Sequence, residues 1–220
     1  MPYSNYLRIA AAAVPVALVL GLAASCHSNF EGAAGEPLHA TVLPEPLPLP
    51  AFTLNDEQNE PFTRERLLGR TSLLFFGFTH CPDICPATLQ QLALARKQLQ
   101  EQGAEASTTT DTAAPPPDAL TIILISVDPE RDTPEKLKAY VSHFGEGVVA
   151  ATGSLESIRE ITSALGVWFQ KEPQGEDDYT VSHSTAVLVI GEDATFRAVF
   201  SAPHRTEYFV HDLPLLMATR

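Results

Sequence analysis

Two cysteines stand in the stretch Phe75–Pro86, which reads FFGFTHCPDICP. Cys81 and Cys85 follow an apolar run and precede a helical pattern. They are four residues apart, so they lie on one face of the helix if both join its first turn. The partial positive charge of a helix N-terminus favours thiolate, the form of cysteine that attacks disulfides and binds metals. The pair can serve as a redox couple or as two ligands of a soft metal ion. A purely structural disulfide across so short a loop would add little stability.

A histidine is the third candidate donor. His183 precedes the apolar run Ala186–Ile190, which we predict to be a strand beside the one that leads to the cysteines. In a thioredoxin-like sheet the residue at the start of this strand faces the thiols, and redox members of that fold carry a cis-proline there. No proline occurs between Pro173 and Pro203, so an imidazole is available instead. The other histidines are interpreted as tether, strand-end or surface residues: His27, His39, His80, His143, His204 and His211.

Two thiolates and one imidazole form a soft donor set of low coordination number. Such a set suits Cu(I), and with an added oxygen or water it also holds Cu(II). Zinc accepts the same donors, but structural zinc sites usually have four protein ligands. The sequence offers no convincing fourth ligand, so this donor set fits copper better than a structural zinc site, although zinc stays open.

Buried strands and capped helices must position these donors. Continuous apolar runs predict strands at Ser72–Phe78 and Leu120–Val127. Thr133 and Ser154 are predicted N-caps of two helices, and Gly191–Ala194 is predicted to be the turn of a hairpin. A last short helix is expected near residue 206. The order of elements predicts a single α/β domain with a mixed central sheet flanked by helices on both faces.

Composition bounds the class of protein. The chain has 220 residues, of which 45% are hydrophobic, and this length indicates one domain with appendages. The net charge of −13 disfavours binding to a nucleic-acid backbone. Three cysteines are too few for a disulfide scaffold, but they are enough for one two-thiol site and one spare residue.

The N-terminus indicates export. An apolar stretch, Ile9–Ala24, follows Arg8 and has the layout of a secretory signal, although it is shorter than a comfortable membrane span. Residues 1–25 are therefore predicted to be a signal peptide or membrane anchor. The spare residue Cys26 follows small residues as in a bacterial lipoprotein, so lipidation at Cys26, plain cleavage and an uncleaved anchor all remain open. Each of them delivers the domain to an oxidising compartment.

Two segments are predicted to lie outside the folded core. Residues 26–50 are interpreted as a proline-rich tether, because Pro44, Pro46, Pro48 and Pro50 alternate and favour an extended polyproline path. The domain is then expected to occupy residues 51–220. Residues Gln102–Pro117, rich in Thr, Ala and Pro, are interpreted as a flexible surface insertion.

Four motifs, in order, resemble the Sco/SenC family: Phe52–Leu54, Phe75–Pro86, Ser126–Thr133 and Asp178–His183. The resemblance implies a thioredoxin-like fold and copper bound by the positions of Cys81, Cys85 and His183. It also implies a role in assembling the binuclear copper centre of cytochrome c oxidase, by handing over copper or by reducing that centre's cysteines. One departure concerns Ser182, which stands where many relatives carry an acidic residue. Asp128–Thr133 is either a signature beside the site or a strand-end turn that caps a helix.

Two functions follow as hypotheses. The leading one is a metallochaperone, more a carrier than an enzyme, that passes one copper ion to the copper-receiving subunit of the oxidase. The alternative is a thiol–disulfide oxidoreductase in which Cys81 and Cys85 form a redox-active disulfide; peroxidase activity is a weaker third option. A thiol reductase and another copper chaperone are further expected partners. The expected location is the bacterial periplasm or the outer face of the cytoplasmic membrane, tethered by the N-terminus.

Overall fold

The longest apolar runs of the sequence form the centre of an eight-stranded sheet. The computed structural model describes residues 35–109, 119–175 and 178–218, without the side chains of 104–109. Its strands are β1 (Ala40–Pro48), β2 (Thr53–Asp56), β3 (Pro61–Thr63), β4 (Thr71–Gly77), β5 (Leu120–Ser126), β6 (Val148–Thr152), β7 (Phe169–Pro173), β8 (Tyr179–His183), β9 (Val187–Ile190) and β10 (Thr195–Phe200). Its helices are α1 (Ile84–Thr109), α2 (Pro134–Val141), α3 (Leu155–Ala164) and α4 (Thr206–Ala218).

The sheet is mixed, with the order β1-β10-β9-β4-β5-β6-β2-β3. Strands β4, β5 and β6 run parallel, whereas the other neighbours are antiparallel. Every residue of β4 is buried, because parallel strands in the middle of an α/β sheet are covered on both faces. The prediction of a mixed α/β domain built on these apolar runs is confirmed.

Helices α2 and α3 begin at the residues that local chemistry predicts, and α3 also ends just before its predicted glycine. The Thr133 hydroxyl accepts the N–H of Lys136 at 3.4 Å, and the Ser154 hydroxyl accepts that of Ser157 at 3.1 Å. Gly166 follows α3 with a φ of +67°, a conformation in which glycine carries no Cβ penalty. These contacts confirm the predicted caps. The predicted hairpin also occurs, as β9 and β10.

The proline-rich segment differs from the prediction. Residues 40–48 are not a polyproline tether but form β1, which pairs antiparallel with β10. The register shifts between Val42 and Leu47, the stretch that contains Pro44 and Pro46. Because β1 is an edge strand, residues without an N–H are tolerated there. The folded domain therefore starts about ten residues earlier than expected from residue 51.

Two other regions also depart from the predictions. Helix α1 continues to Thr109, so the first part of the expected insertion at Gln102–Pro117 is helical. Strands β7 and β8 form a separate two-stranded sheet that was not predicted. The predicted signal or anchor at 1–25, Cys26, the first part of the tether and residues 110–118 lie outside the described residues. Among the helices described, none has the length and apolar character needed to cross a bilayer.

Candidate metal centre

The two cysteines lie where β4 passes into α1. Helix α1 begins at Ile84, so Cys85 lies in its first turn and Cys81 lies in the preceding loop. The condition that both cysteines join the first turn, under which their spacing would place them on one helix face, is therefore not met. The two are nevertheless joined, because the N–H of Cys85 donates to Cys81 Sγ at 3.4 Å. The sulfur thus satisfies one of the N–H groups that a helix start leaves without a partner.

Cys85 is completely buried, whereas Cys81 is half-buried. Gly77, the last residue of β4, makes room for the buried sulfur: a Cβ on this residue would lie 2.9 Å from Cys85 Sγ. That distance is too short for a side chain. A glycine at the end of the strand is therefore needed for the close approach of β4 to the buried thiol.

His183 comes from the end of β8, 98 residues after Cys85. Its Nε2 atom lies 3.5 Å from Cys85 Sγ, and its Nδ1 atom lies 2.9 Å from the carbonyl oxygen of Ser184. A carbonyl oxygen only accepts hydrogen bonds, so Nδ1 carries a proton. Nε2 is then the ring atom that faces the thiols, and it can serve as a metal donor whenever it holds no proton. The rings of Phe75 and Phe78 make edge-to-face contacts with the imidazole, at centroid distances of 6.1 and 6.0 Å.

The sequence prediction that three donors converge is confirmed in geometry. The ligand atoms of Cys81, Cys85 and His183 all lie within 4.8 Å of one another. Among the described residues they are the one group of three such side chains close enough to hold a metal ion. His80 does not join them: it is half exposed, and its Nδ1 lies 3.1 Å from the hydroxyl of Thr79.

The two thiols differ strongly in acidity. A hydrogen bond from the Cys85 side chain is the main reason that the pKa of Cys81 is lowered from 9.0 to about 4, against the opposing effect of burial. His183 and backbone N–H groups lower it further. The same contact, together with burial, raises the pKa of Cys85. Cys81 is therefore a thiolate at neutral pH. Cys85 keeps its proton until a metal ion displaces that proton.

Buried acidic groups after β5 fasten the loop that leads to Cys81. Asp132 is fully buried, and its carboxylate accepts the N–H of Thr79 at 3.0 Å and the hydroxyl of Ser126 at 2.6 Å. The hydroxyl of Thr79 donates to the same carboxylate. Both interpretations of Asp128–Thr133 thus apply, since Thr133 caps α2 and Asp132 supports the site. The signal in the sequence was the presence of two aspartates, Asp128 and Asp132, in the segment that follows the buried strand β5.

This arrangement permits two kinds of chemistry. Both thiols are free, and with the imidazole they offer two sulfur donors and one nitrogen donor to a soft cation. The same thiols are close enough, with one already ionised, to attack a disulfide and then resolve the mixed disulfide. The geometry on its own fits both a metal site and a redox pair.

A family model and individual relatives both match this chain, and they point to the same family. A family model described as SCO1/SenC matches residues 44–218. The chain is 34% identical, over 99% of its length and 98% of the relative, to a protein of Stutzerimonas stutzeri whose name refers to copper binding. It is 35% identical to the mitochondrial SCO1 homolog of Homo sapiens over 70% of this chain and 48% of that protein. The chain thus spans about half the length of the human relative.

Solved structures share the fold. The structure of Bradyrhizobium japonicum ScoI with copper bound is similar with a TM-score of 0.65 and 29% identity, over 76% of this chain and 98% of that one. A second structure concerns a disulfide switch in BsSco, a member of the Sco family of cytochrome c oxidase assembly proteins. Its TM-score is 0.51 at 25% identity, over 70% of this chain and 83% of that one.

Proposed function

This chain belongs to the SCO1/SenC family, and on that premise we propose that it is a copper metallochaperone. Cys81 and Cys85 supply two thiolates and His183 supplies one imidazole to a single copper ion. The observation that carries the proposal is the convergence of these three donors within 4.8 Å. The copper-bound ScoI structure supports the choice of metal.

The three ligands have different roles in carrying copper. Cys81 meets the ion as a thiolate, because its pKa is already low. Cys85 loses its proton when copper binds, since metal affinity depends on deprotonated ligands. His183 lies on a different part of the chain from the cysteines and is the ligand that an acceptor's donor would displace first. Copper is thus cargo that passes to a partner by exchange of ligands.

The test is an anaerobic titration of the reduced protein with Cu(I) against a chelator of known affinity. We expect one tightly held ion per chain. The variants Cys81→Ser, Cys85→Ser and His183→Ala should each weaken binding, and the two cysteine variants should weaken it most. An exposed histidine outside the site, replaced as His143→Ala, should bind copper as the wild type does. Absence of tight one-to-one binding, or binding unchanged in His183→Ala, would remove the proposal.

A second function, thiol–disulfide exchange, rests on a separate observation. The low pKa of Cys81 beside the raised pKa of Cys85 is the asymmetry of an attacking and a resolving thiol. The related structure with a disulfide switch supports it. A measured reduction potential and an insulin-type reduction assay test this activity. If the reduced protein releases copper to an acceptor but reduces no disulfide, delivery is the main role.

We also propose the cellular setting from the family role. The copper-receiving subunit of cytochrome c oxidase is the expected acceptor, with a thiol reductase and another copper chaperone as further partners. The first 25 residues would export the chain to the periplasm, with Cys26 as the candidate lipidation site and the remaining residues before β1 as a tether. Incorporation of labelled palmitate in the wild type but not in Cys26→Ser would support lipidation. Equal incorporation in both would exclude Cys26.

A further inference from the structure

The hairpin that carries His183 stands apart from the main sheet. Strands β7 and β8 pair with each other and form their own two-stranded sheet. An isolated two-stranded hairpin is marginally stable in water. The position of the imidazole therefore depends on the side-chain contacts that join this hairpin to the rest of the domain.

Three residues form the most buried polar group among these contacts. The Nη1 atom of Arg131 donates to the carbonyl oxygen of Tyr179 at 2.9 Å, and its Nε atom donates to the carboxylate of Asp128. The Tyr179 hydroxyl donates to the other oxygen of that carboxylate at 2.7 Å. The guanidinium carbon also lies 3.7 Å from the centre of the Tyr179 ring. We call Asp128, Arg131 and Tyr179 the hairpin brace.

The hairpin brace is shielded from solvent. The Asp128 side chain is 1% exposed and that of Arg131 is 19% exposed, so their ion pair is screened far less than a surface pair. By contrast, the ion pair of Lys171 with Glu130, which also reaches the hairpin, has side chains 44% and 64% exposed. An exposed pair contributes little. The hairpin brace is therefore the stronger polar attachment of the hairpin.

The same segment also holds the other half of the donor set. Asp132, next to Arg131, binds the N–H and the hydroxyl of Thr79, two residues before Cys81. One short piece of chain after β5 thus contacts both the loop with Cys81 and the strand with His183. The loop with Cys81 and the strand with His183 are far apart in the sequence.

We propose that Arg131 is a positioning residue for copper coordination. Through the backbone and ring of Tyr179, it holds β8 so that the Nε2 atom of His183 stays beside the two sulfurs. Arg131 itself is not a ligand. A lysine would not replace it. The planar guanidinium of Arg131 donates to Asp128 and to the Tyr179 carbonyl at the same time, and a single ammonium lacks that geometry. The inference rests on the proposed function, since it concerns the third ligand of the same ion.

The test uses the Cu(I) competition titration on the reduced full-length chain. Arg131→Met should weaken binding about 10-fold or more, the usual cost of removing a partner outside the ligand shell. In the His183→Ala background the same change should cost nothing further, because its effect passes through the imidazole. Arg66→Met, which removes the ion pair with Asp56, is the matched control and should bind as the wild type does. Wild-type affinity in Arg131→Met, or an equal loss in both backgrounds, would overturn the inference.

A second readout needs no copper. In the metal-free protein, Arg131→Met should speed amide hydrogen exchange in β8 while leaving the start of α1 unchanged. Unchanged exchange in β8 would overturn the inference even if copper binding failed for another reason. Should Arg131→Met fail to fold, Tyr179→Phe decides, since it removes one hydroxyl only. A smaller loss of affinity that vanishes in the His183→Ala background supports positioning, and no loss overturns it. If the wild type itself binds no Cu(I), the proposed function fails instead.

Discussion

The reduced, metal-free protein should carry one thiolate at its two-thiol site at neutral pH, on Cys81. The main reason is the hydrogen bond that the Cys85 side chain provides, which outweighs the effect of burial and brings the pKa of Cys81 to about 4. At that pKa about one molecule in a thousand holds the Cys81 proton at pH 7, whereas at an unperturbed value near 9 about 99 in 100 would hold it. The raised pKa of Cys85 keeps the second proton in place.

Two replacements of Cys85 separate its hydrogen bond from its sulfur. In Cys85→Ser a hydroxyl can still donate to Cys81, so the pKa of Cys81 should stay low. In Cys85→Ala the donor is gone, so the pKa should rise by a unit or more toward the ordinary thiol value of 9.0. The assay is the ultraviolet absorbance of thiolate as a function of pH, measured in a Cys26→Ser background to exclude the third cysteine.

Two results would contradict this explanation of the acidity of Cys81. One is the absence of thiolate absorbance at pH 7 when Cys85 is intact. The other is the same titration midpoint in the serine and alanine variants, which would show that the hydrogen bond does not set the acidity of Cys81.

Three further predictions concern stability and loading. Asp132→Asn should lower the free energy of unfolding in urea by about 2–4 kcal/mol, because a buried carboxylate that accepts several hydrogen bonds is lost. Burial would raise the pKa of Asp212, but hydrogen bonds from His211 and the N–H groups of residues 38–40 lower it below 3.8. A pKa lower in the folded than in the unfolded state stabilises the fold above about pH 4. The protection of the amides of residues 38–40, taken as their exchange rate relative to that of an unstructured chain at the same pH, should therefore fall as the pH drops below that value. A Cys81–Cys85 disulfide should abolish Cu(I) uptake in equilibrium dialysis, because it leaves no thiolate.

Each of these has a control and a contradicting outcome. The exposed Glu101→Gln should change unfolding by no more than about 0.5 kcal/mol, and an Asp132→Asn variant as stable as this control would contradict the first prediction. If residues 38–40 lose the same amide protection at low pH in Asp212→Asn as in the wild type, a group other than Asp212 causes that loss. Equal copper uptake before and after thiol reduction would contradict the third.

The parts of the fold predicted from sequence are those fixed by local chemistry. Long apolar runs gave β4 and β5, hydroxyl side chains marked the starts of α2 and α3, and a glycine marked the turn between β9 and β10. Strand β1 could not be predicted in this way. Its alternating prolines favour a polyproline path, and only pairing with the distant β10 overrides that preference. The hairpin β7–β8 was missed because strand β7 is largely polar and exposed.

The donors of the site were predictable, but their support was not. The spacing of Cys81 and Cys85 and the place of His183 before a buried strand identify the three side chains. The start of α1 after Cys81, rather than before it, depends on how the sulfur itself accepts the N–H of Cys85. The contact of Arg131 with Tyr179 joins residues 48 positions apart, and no local pattern reveals such a contact.

The most direct test of a shared copper site is X-ray absorption at the copper edge of the Cu(I)-loaded, reduced protein. We expect two sulfur neighbours and one nitrogen neighbour, with the nitrogen signal lost in His183→Ala. A copper ion with sulfur neighbours alone in the wild type, or a spectrum identical in wild type and His183→Ala, would contradict the shared site.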